Sequence, residues 1–285
     1  MVTWRNAISS IDSQRSRRVD APDRRFEMKT RKATPKSPDY GLDAPKVVRG
    51  LFIAAAVLML SGWIASRPAA SLRSDWLKVL GNIAFNTGFG CFCGGVFMLY
   101  SSYLGKFRQR DRILRRLSLR GDETVLDVGC GHGLLLIAAA KRVPRGRAVG
   151  IDLWSQKDQS NNSREATLRN AMLEGVAHRV DVRDGDMQNM PFADATFDAV
   201  IAHFAIHNIP NREGRRLAIR EIVRTLKPGG QVVLSDLKSV GLYADELRKT
   251  GMCEVKISGM SLWTWPPSRT VTARKPTAAQ LKAVP

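Results

Sequence analysis

Two different hydrophobic patterns divide the chain. Apolar residues run almost without interruption over residues 50–105, whereas short apolar runs alternate with amphipathic stretches from residue 124 onward. Long uninterrupted runs are typical of membrane-spanning helices, and short runs between periodic stretches are typical of buried strands joined by helices. The pattern therefore predicts an apolar helical segment followed by an α/β domain with a parallel sheet.

Residues 1–45 show neither pattern. They are rich in Arg, Ser, Pro and Asp, have almost no apolar periodicity and lack the apolar core of a secretory signal. Such a composition buries too little apolar surface to offset the entropy lost on folding. We therefore expect a disordered basic tail. Its acidic residues argue against a mitochondrial presequence.

The apolar segment consists of two runs with a short polar turn between them. Seventeen positions without a charge separate Arg49 from Arg67, which is about 26 Å of helix at roughly 1.5 Å per residue. The second run, residues 79–105, has 27 such positions. Because a hydrocarbon core is about 30 Å thick, the runs predict a transmembrane hairpin over residues 46–106. A pair of buried helices in a soluble domain is the alternative.

The glycines of the second run, in GFGCFCGGVFMLYSSYLGK, fit a membrane helix better than a phosphate-binding loop. No strand precedes them, and the Lys–Ser/Thr pair of a phosphate loop is missing. Gly90 and Gly94 have the small-xxx-small spacing that lets another helix approach, and Asn82 and Asn86 lie one turn apart. We expect helix pairing through this glycine face, including homo-oligomerisation.

The formal net charge of +19 predicts an anionic partner, such as an acidic leaflet or nucleic acid. Cations are densest outside the hairpin, at Lys46 and Arg49 before it and in KFRQRDRILRRLSLR after it. The positive-inside rule then places both termini, and the α/β domain, on the cytoplasmic side. Residues 107–121 are expected to form a basic linker helix, either on an anionic leaflet or solvated.

The alternating part, residues 122–277, predicts at least five strands, with residues 278–285 as a C-terminal tail. TVLDV, AVGIDLW, RVDVRDGDM, FDAVIAHFAI and QVVLSDL are the strands, and EGRRLAIREIVRTL is a helix stopped by KPGG. Asn162 and Glu165 have the spacing of a capping box. Ligands of such sheets bind at the carboxyl ends of the strands, where Asp127, Asp152 and Asp186 fall.

Five motifs in order, LDVGCGHG, GIDLW, GDMQNMPF, FDAVIAHFAIHNI and LKPGG, resemble those of class I S-adenosylmethionine-dependent methyltransferases. The resemblance covers about residues 110–275 and is closest to the branch that methylates quinones, sterols and other small molecules. It implies a Rossmann-like seven-stranded sheet whose last strand, RTVTARK, is antiparallel. It also implies S-adenosylmethionine as the cofactor.

The resemblance further implies which residues contact the cofactor. Asp127 and the glycine turn would hold its methionine part, Asp152 its ribose and Asp186 the edge of its adenine. The full set of cofactor residues is Asp127, Gly129, Cys130, Gly131, Gly133, Asp152, Leu153, Asp186, Met187 and Ala202.

Methyl transfer from a sulfonium needs alignment and, for many acceptors, removal of a proton. His203, His207 and Asp236, at or just beyond the ends of the fourth and fifth strands, are the candidate bases, each with a packing role as its alternative. His132 is expected to pack or face solvent, and His178 to lie on a surface loop. We expect no metal site, since the four cysteines have no zinc-pair spacing.

The combination predicts a membrane-anchored methyltransferase whose acceptor is a quinone, an isoprenoid phenol or a lipid. A small soluble or volatile acceptor such as a thiol, or a non-catalytic cofactor-binding membrane subunit, are the alternatives. A nucleic-acid acceptor is not expected, because AHFAIHNI replaces the Asn/Asp-Pro-Pro-aromatic motif of many such enzymes. Trp263 and Trp265, in SLWTWPP, would wall the pocket, anchor at a membrane interface or pack on the sheet edge.

Overall fold

The computed structural model describes residues 37–67, 75–155, 161–277 and 279–280. The predicted disordered tail up to residue 36, the turn of the predicted hairpin and most of the predicted C-terminal tail lie outside the described residues.

Two long apolar helices come first. Helix α1 is Pro45–Ala65, with proline in its first turn where no amide donor is needed. Helix α2, Asp75–Tyr100, continues through a π-helical turn, Ser101–Gly105, into α3, Lys106–Leu114. Both are long and apolar enough to cross a membrane, and only 17% of the most apolar stretch of each is buried. Since a core helix is mostly buried, both remain candidate membrane spans.

The two candidate spans pack through glycines that repeat every seven residues. Gly81, Gly88 and Gly95 are the buried glycines of α2, and Gly62 faces them from α1. A Cβ added at Gly88 would lie 2.8 Å from the backbone nitrogen of Met59. Seven residues are close to two helical turns, so these glycines share one face.

The predicted Gly90 and Gly94 pair does not make this contact. A Cβ added at Gly90 would meet nothing within 4 Å, and one at Gly94 would meet only a methyl of Leu51 at 3.8 Å. Asn86 donates to the carbonyl of Asn82 in its own helix. Gly90 therefore points away from α1, and Gly94 lies at the margin of the contact between the two helices.

The sheet has seven strands in the order β3-β2-β1-β4-β5-β7-β6. Its strands are β1 Thr124–Val128, β2 Arg147–Asp152, β3 Val180–Asp184, β4 Phe197–His203, β5 Leu226–Asp236, β6 Cys253–Ile257 and β7 Arg269–Arg274. The first five pair in parallel, whereas β7 is antiparallel to both β5 and β6. The expected α/β architecture with an antiparallel last strand is confirmed.

Helices cover both faces of this sheet. They are α4 Leu134–Arg142, α5 Arg164–Leu173, α6 Arg212–Thr225 and α7 Val240–Lys249, with single 3-10 turns at Ala177–Arg179 and Ile206–Asn208. Alternate residues of β1 point to opposite faces of the sheet and belong to two hydrophobic cores. Leu126 packs with α6 and α7, and Val125 packs with α3 and α4. The site thus stands on a sheet that is buried on both faces.

Three local details differ from the sequence expectations. Helix α3 ends at Leu114, and Ile113 and Leu114 are fully buried, so this basic helix packs on the domain and is not a free linker. The cap of α5 is Ser163, whose hydroxyl accepts from the amide of Ala166, and not Asn162. KPGG belongs to β5, which pairs with β4 across an irregular register.

Candidate functional site

The turn after β1 depends on its glycines. Gly129, Gly131 and Gly133 have φ angles of +73°, +51° and +84°, a left-handed region that other residues seldom adopt. A Cβ on Gly129 would also lie 2.3 Å from the Cβ of Ala205. The amide of Gly129 donates to the carbonyl of Ile151 at 2.8 Å, which fixes the turn against β2. The glycines thus let the main chain of this turn pass close to Ala205 at the carboxyl end of the sheet, where ligands of such sheets bind.

Cys130 contributes only its main chain to this surface. Its side chain is buried, and its Sγ would lie 2.7 Å from a Cβ added at Gly150. Burial raises the pKa of its thiol well above the ordinary value, so the thiol stays protonated. Cys130 can therefore contact a cofactor only through its main chain, as a residue of the glycine turn.

Asp152 ends β2 and meets the glycine turn. Its Oδ2 accepts from the amide of Gly131 at 2.8 Å, and its Oδ1 accepts from the amide of Trp154 at 2.7 Å. Asn162 approaches the same Oδ1 at 3.4 Å. Leu153, between Asp152 and Trp154, is 64% exposed. A fixed carboxylate beside an open apolar side chain suits the two hydroxyls and the base of a nucleoside.

Asp127, at the end of β1, is a buried acid, 3% exposed. Burial raises its pKa to about 8, and the Asp152 carboxylate raises it further, while the amide of Leu136 opposes the shift. A cationic group beside Asp127 would favour the charged form of the carboxyl. The position therefore fits a ligand that carries a positive charge, such as the ammonium of an amino acid.

Asp186 and Met187 follow β3 at the same edge. The carboxylate of Asp186 accepts from the amide of Gln188 at 2.9 Å and from its side chain at 3.1 Å. The Cε of Met187 would lie 3.6 Å from a Cβ on Gly129, so Met187 adjoins the glycine turn. Ala202, by contrast, has its side chain in the core, and only its main chain is available to a ligand.

His207 and Asp236 form a close pair beyond β4 and β5. His207 Nδ1 lies 2.6 Å from Asp236 Oδ1, although the angle at this contact is not that of a regular hydrogen bond. The amide of His207 donates to Oδ2 of Asp236 at 3.0 Å, and the hydroxyl of Tyr243 donates to the same oxygen at 3.1 Å. Asp236 was one of three candidate bases; its buried position beside His207 instead suits a residue that orients the imidazole.

His203, at the end of β4, is poorly suited to accept a proton. Its ring stacks on Phe204 at 4.1 Å, and among the described residues neither ring nitrogen has a hydrogen-bond partner of normal geometry. Burial lowers its pKa to about 4, although the carboxylates of Asp43 and Asp236 oppose that shift. His203 is therefore neutral at physiological pH and offers one donor and one acceptor.

The remaining histidines lie away from this chemistry. His132 belongs to the glycine turn, but its side chain is buried, and His178 is exposed on the 3-10 turn before β3. Within the ranges that the structure describes, no group of three or more His, Cys, Asp or Glu is placed to hold a metal ion.

Two side chains of α3 reach the site from the candidate spans. Gln109 is buried and donates to the hydroxyl of Ser235, next to Asp236, at 3.0 Å. Lys106 is buried as well, and its Nζ donates to the carbonyl oxygens of Tyr40 and Gly41 at 2.9 and 2.6 Å. Helix α3 and the segment before α1 therefore lie at the carboxyl ends of β4 and β5.

Several of these residues have no distinct signal in the sequence. Trp154 has a φ of +58° and donates from its indole to Asp184 at 2.6 Å, and GIDLW was the only hint of it. Asn162 was assigned to a helix cap. Tyr243 and Gln109 sit in amphipathic stretches where only tertiary contacts distinguish them. For such residues the sequence carries no separate signal.

Comparison with known proteins identifies methyltransferases among the proteins that resemble this chain. Residues 126–234 match a protein-family model described as "Methyltransferase domain". Demethylmenaquinone methyltransferase of Staphylococcus aureus is 34% identical over 125 residues, 44% of this chain and 47% of the relative. Its counterpart from Lactobacillus johnsonii is 30% identical over 126 residues, 43% of this chain and 47% of the relative. The chain thus spans about half the length of these curated relatives.

The fold has solved counterparts. Phosphoethanolamine N-methyltransferase 2 of Haemonchus contortus, in complex with S-adenosyl-L-methionine, is similar to this chain with a TM-score of 0.50 and 18% identity. The similarity covers 60% of this chain and 53% of that chain, and at this identity it concerns the fold alone. The family match, the sheet order and a strand-end site suited to a cationic nucleoside lead to one conclusion: the chain carries an S-adenosylmethionine-dependent methyltransferase domain.

Proposed function

We propose that the chain is a membrane-anchored methyltransferase that acts on a lipophilic acceptor, namely a quinone in its reduced form, an isoprenoid phenol or a lipid. One observation carries the proposal. The helix that begins as the second apolar run continues unbroken from Asp75 to Leu114, and its Gln109 is hydrogen-bonded to Ser235 at the end of β5. The methyl-transfer site therefore adjoins the end of a candidate span.

The described residues account for the binding of the cofactor. Asp152 is held ready for the ribose by two main-chain donors, and the open glycine turn admits the methionine part near Asp127. Leu153 and Met187 supply apolar contact, with Asp186 at the adenine edge. When bound, S-adenosylmethionine supplies a methyl group on a sulfonium, whose sulfur keeps the electron pair of the broken bond.

His207 is the residue that we assign to proton removal. Asp236 faces its Nδ1, which leaves Nε2 to accept the hydroxyl proton of a phenol or hydroquinone. Loss of that proton places an electron pair on the oxygen or, by delocalisation, on a ring carbon, and this pair forms the bond to the methyl group. A methylated ring carbon then loses its own proton to water, which restores aromaticity, and the oxygen takes back the proton that His207 holds. Removal of a proton by a positioned base contributes roughly 10²- to 10⁴-fold in rate.

The relatives favour a quinone among the three acceptors. Two proteins with matching segments are named demethylmenaquinone methyltransferases. A quinone itself has no nucleophilic carbon, whereas its reduced form has both a hydroxyl and an electron-rich ring. We therefore choose the reduced form as the first acceptor to test.

The membrane arrangement is part of the proposal. Helices α1 and α2 would cross the bilayer as a hairpin, with both termini and the catalytic domain on the cytoplasmic side. Gly90, which no other helix of the described chain covers, would allow close approach of a second copy.

The test compares acceptors in one membrane system. Full-length protein in lipid nanodiscs receives methyl-labelled cofactor with either a reduced, demethylated isoprenoid naphthoquinone or a small thiol. We expect label in the quinone and none in the thiol, and loss of labelling in Asp152→Asn. Transfer to the thiol alone would replace the proposed acceptor class, and cofactor binding without any transfer would favour a non-catalytic subunit.

A further inference from the structure

The loop between β6 and β7, residues 258–268, exposes large apolar side chains. Met260 is 67% exposed and Leu262 is 71% exposed, and Trp265 is partly exposed as well. The loop contains no charged residue. Single exposed apolar residues are ordinary on protein surfaces, but clusters of them mark contact sites for proteins, ligands or membranes.

The loop is fastened to the end of the second candidate span. The rings of Trp265 and Phe97 are 5.4 Å apart. A Cβ added at Gly105 would lie 1.7 Å from the carbonyl oxygen of Trp263, so the loop backbone packs directly on the helix. Arg108 covers the ring of Trp263 at 4.7 Å. The exposed residues of the loop are therefore held at a fixed height along the helix.

That height matches a membrane surface. The uncharged run starts at Val79, and Phe97 lies eighteen residues further on, about 27 Å at roughly 1.5 Å per residue. A hydrocarbon core is about 30 Å thick, so the level of Phe97 and Trp265 falls near its edge. Tryptophan rings settle at this interface. Tyr103 and Leu104, six and seven residues beyond Phe97, are also exposed and continue the apolar surface about 10 Å further along the helix, toward the headgroups.

We propose that the β6–β7 loop enters the bilayer interface as a third membrane contact of the chain, beside the two spans. Its partner is the phospholipid bilayer, and the argument for that partner is the continuity of the loop with the candidate span. The proposal rests on the membrane arrangement given above. It also connects lipid to the site, since Ser261 of the loop donates to Gln109 at 2.8 Å and Gln109 donates to Ser235.

The consequence is a fixed orientation of the catalytic domain. Helix α3 already holds the domain at the end of the second candidate span, and a lipid contact at the β6–β7 loop would keep the carboxyl ends of β4 and β5 toward the bilayer. A lipophilic acceptor then reaches His203 and His207 without leaving the bilayer surface.

The test measures contact with lipid at three introduced cysteines, one per variant, in the full-length chain. Cys91, Cys93 and Cys253 are replaced by alanine, and Cys130 stays because its side chain is buried. Leu262→Cys reports on the loop, Ile83→Cys on the span and Met172→Cys on helix α5. Each carries a fluorophore sensitive to nitroxides. All three native side chains are well exposed, so the substitutions leave the core intact.

The protein is reconstituted in vesicles whose phospholipids carry nitroxides on the acyl chain near the headgroup. We expect strong quenching at Ile83→Cys and Leu262→Cys and little at Met172→Cys. Quenching at Ile83→Cys with none at Leu262→Cys would overturn the loop contact while the hairpin stands. Absence of quenching at Ile83→Cys would overturn the membrane arrangement itself, and equal quenching at Met172→Cys would show that the signal is not specific to the loop.

Discussion

At the scale of single residues, the carboxylates at the strand ends differ in what surrounds them. Asp152 is held by two amides and stays partly open, Asp127 is buried, and Asp236 is enclosed beside His207. Three acids at one edge of the sheet thus suit three tasks: binding hydroxyls, facing a positive charge and orienting an imidazole.

Asp152→Asn should weaken cofactor binding, because a neutral amide replaces a carboxylate that accepts from the ribose. Hydrogen bonds to charged groups contribute about 1.5–3 kcal/mol, so we expect roughly 10- to 100-fold in Kd. Isothermal titration measures the change. Asp245→Asn, which removes an acid paired with Arg248 on the surface, is the matched control. Equal affinity of the Asp152 variant and the wild type would remove the ribose assignment.

Cofactor affinity should rise with pH through Asp127. Its pKa of about 8 in the free protein means that the carboxyl is protonated at neutral pH, and binding of an ammonium requires its ionised form. Well below that pKa, affinity gains about tenfold per pH unit. Titrations between about pH 6 and pH 7.5, where the ligand's own ammonium remains charged, measure this slope. Asp127→Asn should flatten it, and a flat profile in the wild type would contradict the assignment.

The same shift predicts how the free protein responds to pH. The folded pKa of Asp127 lies above its ordinary value of 3.8, so the folded state holds a proton that the unfolded state has released. Its contribution to stability is complete below the unfolded pKa and is lost as the pH rises through about 8. Urea unfolding across this range should show a smaller loss of stability in Asp127→Asn. An identical loss in both proteins would point to other groups.

His207→Gln should lower kcat by roughly 100-fold or more, because no positioned base takes the acceptor proton. Cofactor Kd should stay unchanged, since the contacts that hold His207 among the described residues are with Asp236 and Phe204 and not with the glycine turn. Asp236→Asn should act through the same imidazole, so the double variant should lose little more than either single one. His178→Gln, on the exposed turn, is the control. Full turnover in His207→Gln would return this residue to a packing role.

At the scale of elements, the sequence predicted the sheet well and the helix contacts less well. Short apolar runs such as TVLDV identify the strands. The acids at the strand ends are then assigned to the site by the rule that ligands bind at the carboxyl edge of the sheet. The face that a glycine-rich helix turns toward its neighbour is set by packing. Gly90 and Gly94 fit a local motif, yet Gly81, Gly88 and Gly95 make the contact. Likewise, α3 packs on the domain because Ile113 and Leu114 are buried there, and the sequence alone did not indicate this contact.

Gly88→Val should therefore loosen the pair of spans, whereas Gly90→Val should not. A side chain at Gly88 meets the backbone of Met59, and forcing atoms into such a packed contact costs about 1–3 kcal/mol. Unfolding by sodium dodecyl sulfate in mixed micelles measures the difference. Equal effects of the two variants would mean that Gly81, Gly88 and Gly95 do not hold α1 against α2.

At the scale of the whole molecule, the apolar helices are tied to the catalytic domain at both ends. Before α1, the amide of Asp39 donates to Asn170 at 3.0 Å, and Asn170 in turn donates to the carbonyl of His132 in the glycine turn. After α2, Gln109 joins Ser235. These contacts hold the start of α1 near the glycine turn and the end of α2 near the end of β5, which is the arrangement that the proposed delivery of an acceptor from lipid requires.

The most direct test of this account is the fate of the transferred methyl group. Membranes that contain the full-length protein are incubated with methyl-labelled S-adenosylmethionine and then partitioned between organic solvent and water. The account predicts a labelled, lipid-soluble product that Asp152→Asn and His207→Gln membranes fail to make. Label that appears only in a water-soluble or volatile product would contradict it.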